Sequence, residues 1–280
     1  MQQHATTADR DPIPFASLLP FLLIAFGLAW GLFGLFVWRP DWVERNFGPV
    51  SASNPLFILA VYAPALAAFV LVLGHAGVAG LGRFLTRLLL WRASRAWYAF
   101  LILGIPIIYV AGAALGGTLS TETFAWPDLG ALLAASAFML ILGPMEEFGW
   151  RGFALPLLQR RLAPVWAGLV LGLIWGAWHL PAFYLSGTPQ SGWEFMPFLV
   201  GSVAVSVIVT PLFNTSRGSI LLAMLFHFQL NNPLWPDAQP YDMYLFAAAA
   251  VVVVWLNRRT MFTRHAAVTG IVPPIGGMRS

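Results

Sequence analysis

The chain has 280 residues, of which 59% are hydrophobic and 9% charged, and its mean hydropathy is +0.76. A soluble domain carries about 25% charged residues, so this chain has too few to cover a water-facing surface. Cysteine is absent, which excludes disulfides, thiolate nucleophiles and Cys-based zinc or iron–sulfur sites. The formal charge is +4, but every basic residue is Arg, and most lie at the ends of apolar stretches. We therefore expect contacts with membrane lipids and none with nucleic acid.

Long apolar stretches separated by short polar loops predict an all-α, polytopic transmembrane bundle of about eight spans. Residues 1–14 are expected to be a disordered cytoplasmic lead, 15–257 the bundle, and 258–280 a cytoplasmic tail. Between the second and third spans, Arg alternates with apolar residues over 80–95, which favours an amphipathic helix lying in the membrane surface. The expected spans cover residues 15–38, 55–79, 96–117, 129–160, 164–185, 193–213, 218–230 and a last stretch ending at 257.

The distribution of Arg predicts the orientation of the bundle. The loops after spans two, four and six, together with the C-terminal tail, hold most of the Arg. The loops after spans three, five and seven hold acidic residues and no Arg. By the positive-inside rule, both termini are then cytoplasmic. The first loop departs from this pattern, because Arg39 and Arg45 face outward in the same arrangement.

The segment from Gly143 to Phe153 places three ionisable residues inside an apolar stretch. Each charge near a bilayer centre costs roughly 2.5–3.5 kcal/mol on insertion scales, so such a cluster is by default a candidate functional site. Glu147 and Arg151 are four residues apart, which puts them on one helix face where they can pair. Glu146 is rotated by about 100° from Glu147 and can point elsewhere, so the two carboxylates can have different roles.

Three further polar residues lie at membrane depth in later spans. His179 is near the middle of the fifth span, and His227 and Asn231 are four apart in the seventh. A carboxylate, two imidazoles and an amide that converge in a bundle can activate a water and stabilise an oxyanion. They could equally bind zinc, since Glu and His are ordinary zinc ligands. The remaining alternative is a structural polar network without chemistry.

These motifs resemble those of the CAAX prenyl protease and bacteriocin-processing family, also called abortive-infection-like proteins. The resemblance lies in Glu-Glu-x-x-x-Arg, an aromatic-x-x-x-His and His-x-x-x-Asn, each in its own predicted span between residues 129 and 232. The wording of the first motif is close to the bacterial one, which implies a multi-pass protein of the bacterial inner membrane. The second motif begins with Trp175 where the family commonly has Phe, which is a conservative aromatic change.

Members of the family are intramembrane glutamic endopeptidases, so the resemblance implies a catalytic core at 129–232. In the family's proposed mechanism, Glu146 would be the general base with His179 assisting it. His227 and Asn231 would stabilise the tetrahedral intermediate, and Glu147 and Arg151 would support the site. Spacing alone leaves open which Glu is the base, and it leaves zinc open as well.

The resemblance also implies a peptide or protein substrate, lipidated or not, and no cofactor. We expect the site to open to the cytoplasmic side, because Arg160 and Arg161 follow the first motif. Two other functions are consistent with the residues. One is a non-enzymatic scaffold or bacteriocin-immunity protein that keeps the polar core for folding. The other is a proton-coupled transporter that uses the Glu and His residues as a relay, although no second copy of the motif supports an inverted repeat. The sequence predicts no oligomeric state.

Overall fold

A computed structural model describes residues 11–120 and 128–274, and these residues form a helical bundle without strands. Six helical segments are long and apolar enough to cross a membrane, and two shorter apolar helices accompany them. The predicted all-α, polytopic bundle is therefore confirmed. The helices are α1 (Leu18–Trp38), α2 (Pro40–Phe47), α3 (Pro55–Val61), α4 (Ala63–Leu85), α5 (Arg95–Ala99), α6 (Ile105–Gly116), α7 (Leu129–Ile141), α8 (Glu147–Gly149), α9 (Leu155–Gln159), α10 (Pro164–Trp178), α11 (Phe195–Thr215), α12 (Ile220–Leu230), α13 (Tyr241–Leu256) and α14 (Arg258–Met261).

The fourth span, Leu129–Gln159, is interrupted at the polar motif, and we call this span the motif rod. α7 ends at Ile141, a 3-10 turn covers Gly143–Glu146, and a π turn covers Trp150–Ala154 between α8 and α9. Pro144 cannot supply a backbone N–H to the helix ladder, which explains the irregular turn. π turns inside helices are frequent at functional sites, because they change the direction of the side chains around them.

Helix α12 is too short to cross the bilayer, and this shortness positions the site. Its first turn is capped by Ser219, whose Oγ accepts a hydrogen bond from the backbone N–H of Leu222 at 3.0 Å. Eleven residues rise only about 16 Å, roughly half of a 30 Å hydrocarbon core. The C-terminal end of α12, with His227 and then Asn231, therefore stops inside the bundle beside the motif rod.

The two ends of the bundle differ in composition, and we call them the Arg-rich end and the Arg-poor end. The Arg-rich end holds the segment before α1 and the ends of α4, α9 and α13, where Arg160 contacts Asp11 at 2.6 Å. The Arg-poor end holds the loops after α1, α6, α10 and α12; there Thr118 donates a hydrogen bond to the carbonyl oxygen of Asp237 at 2.7 Å. Both ends of the described chain lie at the Arg-rich end.

The predicted surface helix over residues 80–95 is seen only in part. α4 breaks at Gly77, whose φ of 64° is non-helical, and a second helical part then runs to Leu85 before a 3-10 turn to Leu89. Arg87 is only 4% exposed, and it donates hydrogen bonds to the carbonyl oxygens of Gly218, Gly270 and Ile271. The alternation of Arg with apolar residues resembled an amphipathic surface helix, but one of the Arg side chains points into the protein.

The chain ends near the Arg-rich end also differ from the expected lead and tail. Ile13 is fully buried, and its carbonyl oxygen accepts a hydrogen bond from Arg160 at 2.6 Å. In the C-terminal segment, Ile271 is fully buried, and the carbonyl oxygen of Thr269 accepts from Arg160 at 2.9 Å. Residues 11–14 and 268–273 are thus packed on the bundle, whereas residues 264–266 are exposed. The rest of the predicted lead and tail, 1–10 and 275–280, lies outside the described residues.

The Arg87→Met variant should unfold at a lower temperature than the parent. Removal of the guanidinium leaves buried carbonyl oxygens without donors, at about 1–3 kcal/mol for each unsatisfied group. We expect a loss of about 2–4 kcal/mol, measured by thermal unfolding in detergent. Arg92→Met is the matched control, since Arg92 is exposed. Equal unfolding temperatures for the two variants would show that Arg87 does not anchor the C-terminal segment.

Candidate active site

Glu146 lies in the 3-10 turn, and both of its protein hydrogen bonds come from indoles. Its Oε2 accepts from Nε1 of Trp150 at 3.2 Å and from Nε1 of Trp175 at 2.8 Å. The residue is 3% exposed, so these donors replace the water that would otherwise solvate the carboxylate. Glu146 also lines the central cavity described below, where a substrate or a water can reach it.

Glu147 points away from Glu146, as the helical rotation predicts, and joins two elements through one oxygen. Its Oε1 accepts from Nη1 of Arg151 at 2.8 Å and contacts Nδ1 of His227 at 2.7 Å. All three side chains are buried. The predicted Glu147–Arg151 pair is confirmed as a salt bridge, and His227 of α12 is added to it.

Arg151 is incompletely paired, which points to a role beyond a simple ion pair. Its Nε and Nη2 have no hydrogen-bond partner, and the guanidinium lies 4.7 Å from the ring centroid of Trp175. A cation over an indole face gains about 2 kcal/mol when both are desolvated. Arg151 therefore supplies positive charge to the inner wall of the site while Glu147 holds it in place.

His179 follows α10 and is oriented by the backbone of that helix. Its Nδ1 lies 2.8 Å from the carbonyl oxygen of Trp175. A carbonyl can only accept, so Nδ1 carries the proton, and the neutral ring has an unprotonated Nε2. Aromatic rings of Trp175, Trp178 and Phe198 surround the imidazole edge-on at 4.9–5.3 Å between centroids. This cage fixes the ring, and His179 also lines the cavity.

His227 and Asn231 meet at Gly143. A Cβ placed on Gly143 would lie 3.0 Å from Nε2 of His227 and would overlap the side-chain amide of Asn231. The two nitrogens therefore point at the same small space, which is open because residue 143 has no side chain. An imidazole and an amide that converge in this way can donate two hydrogen bonds to one oxygen atom. The His227 ring does so only when it is doubly protonated, since Nδ1 is committed to Glu147.

One cavity of about 660 Å³ connects these groups. Glu146, His179, His227 and Asn231 all line it, and its wall is largely apolar. The predicted site residues thus come together: four line the cavity, and Glu147 and Arg151 lie behind them.

The cavity opens at the Arg-poor end of the bundle. Its outer lining comes from the loops after α1, α10 and α12, and it includes the exposed residues Gly192 and Asp237. The expected opening beside Arg160 and Arg161 is therefore wrong: these residues lie at the opposite end, with the chain ends. The sequence predicted an opening at the end of the span that carries Arg160 and Arg161. In the structure, the cavity extends from Glu146 toward the opposite end of the bundle.

The positions of the His, Asp and Glu side chains indicate whether the site could bind zinc. In the part of the chain that the structure describes, no three His, Asp or Glu side chains are grouped as a metal site requires. The Nδ1 atoms of His179 and His227 are engaged by a carbonyl and a carboxylate. The donor set therefore fits a hydrogen-bonded acid–base site better than a three-ligand zinc site.

Three contributors to the site, Trp150, Trp175 and Gly143, were not identified from the sequence. Trp175 was treated as a conservative aromatic replacement, but its indole N–H binds Glu146 and its ring faces Arg151 and His227. Gly143 was treated as part of the motif without a role. The Glu146–Trp150 spacing of four was a usable signal, because it places a donor on the same helix face as the carboxylate.

Known proteins resemble this chain in the segment that carries the candidate site. Residues 128–232 match the family model described as type II CAAX prenyl endopeptidase, Rce1-like. The CAAX prenyl protease 2 of Methanococcus maripaludis is 33% identical over 129 residues, covering 42% of this chain and 48% of that protein. The chain thus spans about half the length of the curated relative it matches. The matched segment contains every residue of the candidate site.

A double-mutant cycle should detect the buried Glu147–Arg151 pair. Glu147→Gln and Arg151→Met each leave a buried charge without its partner, and we expect each to cost about 3–5 kcal/mol of stability. The double variant should cost less than the sum of the two. Thermal unfolding in detergent gives the values, with Arg161→Met as an exposed control. Strict additivity would mean that the two side chains do not interact.

Proposed function

We propose that this multi-pass membrane protein is an intramembrane endopeptidase, because residues 128–232 match the Rce1-like CAAX prenyl endopeptidase family model. It hydrolyses a peptide bond of a membrane-associated peptide or protein with a water activated by glutamate and histidine. The observation that carries the proposal is the shared cavity, which brings a carboxylate and an unprotonated imidazole nitrogen together beside two convergent nitrogen donors.

Glu146 is the general base, and His179 assists it. The two indole donors occupy Oε2 of Glu146, which leaves Oε1 to accept a proton from a water in the cavity. The free Nε2 of His179 accepts a hydrogen bond from the same water and orients it. Trp175 couples the two groups, since its N–H binds Glu146 and its carbonyl binds His179. Attack of the water oxygen on the peptide carbonyl transfers one proton to Glu146, which later donates it to the leaving amine.

His227 and Asn231 form the oxyanion hole over Gly143. This role requires a doubly protonated His227 ring, for which Glu147, 2.7 Å from Nδ1, is the counter-charge. The Nε2–H of His227 and the amide of Asn231 then donate to the oxygen of the tetrahedral intermediate. Such preorganised donors are worth about 10²–10³ in rate each. Arg151 holds Glu147 in position through the salt bridge at 2.8 Å.

No cofactor takes part in this proposal, and the substrate peptide can be lipidated or not. The protein lies in the bacterial inner membrane with its Arg-rich end, and hence both described chain ends, at the cytoplasmic face. This placement follows the positive-inside rule. The oligomeric state does not enter the mechanism, because every residue of the site comes from one chain.

Glu146→Gln should abolish processing while the protein still inserts into the membrane. Loss of a general base lowers the rate by about 10²–10⁴. Membrane peptidomes of cells with the parent and the variant, followed by a reconstituted assay on the peptide that disappears, measure the effect. Glu194→Gln is the control, since Glu194 is exposed and lies outside the cavity lining.

The same assay separates the alternatives. Full processing by Glu146→Gln would overturn the glutamate mechanism, and an unchanged peptidome together with retained immunity would favour a non-enzymatic scaffold. Activity that is lost with a zinc chelator and restored by zinc would assign the site to a metal instead.

Gly143→Ala tests the oxyanion hole separately. The added methyl would occupy the space between Nε2 of His227 and the amide of Asn231, where the carbonyl oxygen of the substrate is to sit. We expect kcat to fall by about 10²-fold or more. Gly27→Ala is the matched control, because a Cβ at that position meets open space. Unchanged kcat in the Gly143 variant would remove these two residues from the mechanism.

A further inference from the structure

The ends of the bundle differ in charge and in access to the site. The Arg-rich end holds most of the Arg residues of the chain, and by the positive-inside rule it faces the cytoplasm. The cavity opens at the other end, between the loops after α1, α10 and α12. The charge pattern and the cavity therefore place the entrance at the face of the membrane away from the cytoplasm.

The Arg-rich end is covered by the packed chain ends. Arg87 and Arg160 bind carbonyl oxygens of the C-terminal segment at Thr269, Gly270 and Ile271. Gln159 and Asn214 bind each other and also the backbone of Val268. These contacts lie across the end of the rod that carries the motif, so they close the direct route from that end to Glu146.

The mouth of the cavity is acidic. Within the described residues, the carboxylates that line the cavity are Glu146 at its deep end and Asp237 and Asp242 near its mouth, and no Arg is among the lining residues. Asp237 is exposed at the rim, whereas Asp242 is buried at the start of α13. An opening with low-dielectric walls and one sign of charge concentrates ligands of the opposite charge.

Three polar atoms at the mouth lack the partners that buried groups usually have. They are Oε1 of Gln190, Nε1 of Trp235 and Oε1 of Gln239, and all three residues line the cavity. Buried polar groups are normally hydrogen-bonded, so two acceptors and one donor without partners indicate a ligand that supplies both kinds of group. The N–H and C=O groups of an extended peptide backbone supply them.

We propose that the cavity is entered from the non-cytoplasmic face of the membrane and that its mouth binds an extended peptide segment with basic side chains. The backbone of this segment pairs with Gln190, Trp235 and Gln239, and its cationic side chains face Asp237, the exposed carboxylate at the rim. The proposal rests on the endopeptidase function and deepens it, because it specifies the substrate and the side from which the substrate arrives.

Cysteine accessibility tests the entrance without reference to activity, since the natural chain has no Cys. Gly192→Cys puts a thiol on the cavity lining, where a Cβ meets open space, and Ala266→Cys puts one on the exposed Arg-rich end. A membrane-impermeant methanethiosulfonate is added to intact spheroplasts, and the remaining thiols are counted after denaturation. We expect Gly192→Cys to react at once and Ala266→Cys only after permeabilisation. The reverse order, or no reaction at residue 192 in either state, would overturn the entrance.

Reagent charge tests the basic specificity in the same samples. A trimethylammonium reagent should modify Gly192→Cys at least about threefold faster than a sulfonate reagent of similar size. The preference should fall when Asp237→Asn is added. Equal rates for the two reagents would overturn the proposed selection of basic peptides, even if the endopeptidase function holds.

Trp235→Phe tests the pairing with the peptide backbone. It removes the unpartnered N–H but keeps a ring, so KM for the processed peptide should rise more than kcat falls. The control is Trp166→Phe, at an exposed position outside the cavity. An unchanged KM would remove Trp235 from the binding surface, and failure of all processing would instead count against the endopeptidase proposal.

Discussion

The fold of the site depends on one carboxylate oxygen. Oε1 of Glu147 accepts from Arg151 on its own rod and from His227 on α12, at 2.8 and 2.7 Å. A buried carboxylate in this environment is tolerable only if its partners offset the lost hydration, so the chain must bring α12 to this depth. α12 is short, and its last turn ends here instead of continuing to the far end. The charge on Glu147 thus accounts for the position of His227. It also accounts for the hydrogen bond that occupies Nδ1 of this residue.

Trp175 is the second residue, after Glu147, that holds several side chains of the site in position. Its indole N–H binds Glu146, its carbonyl binds His179, and its ring lies against Arg151 and His227. A Phe at this position would keep the ring contacts but could not donate to Glu146. The change from Phe to Trp, which appeared conservative from the sequence, therefore adds a hydrogen bond to the proposed base. Trp150 donates to the same oxygen, so two indoles replace water around a carboxylate in an apolar setting.

Much of this could be predicted from the sequence because the governing rules are local. Apolar length predicted the spans, and the spacing of four paired Glu147 with Arg151. The rotation of about 100° between adjacent residues separated Glu146 from Glu147. Other features are set by distant residues and leave no local signal. The pattern around Arg87 suits a surface helix, and only the carbonyl groups of Gly218, Gly270 and Ile271, more than a hundred residues away, draw it inward. The direction of the cavity likewise depends on how the loops pack, which no periodicity encodes.

The asymmetry between the ends also determines how water reaches the site. At the Arg-rich end, Arg87 and Arg160 hold residues 11–14 and 269–271 over the end of the motif rod. At the Arg-poor end, the cavity continues from Glu146 to exposed loops. Water and a peptide then share one route, so a bound peptide would displace the cavity water except where polar groups retain it. Glu146 and His179 are the groups that can retain a molecule at the depth of the proposed scissile bond. Apolar side chains form most of the remaining wall, and hydrolysis is confined to the one position where a base is available.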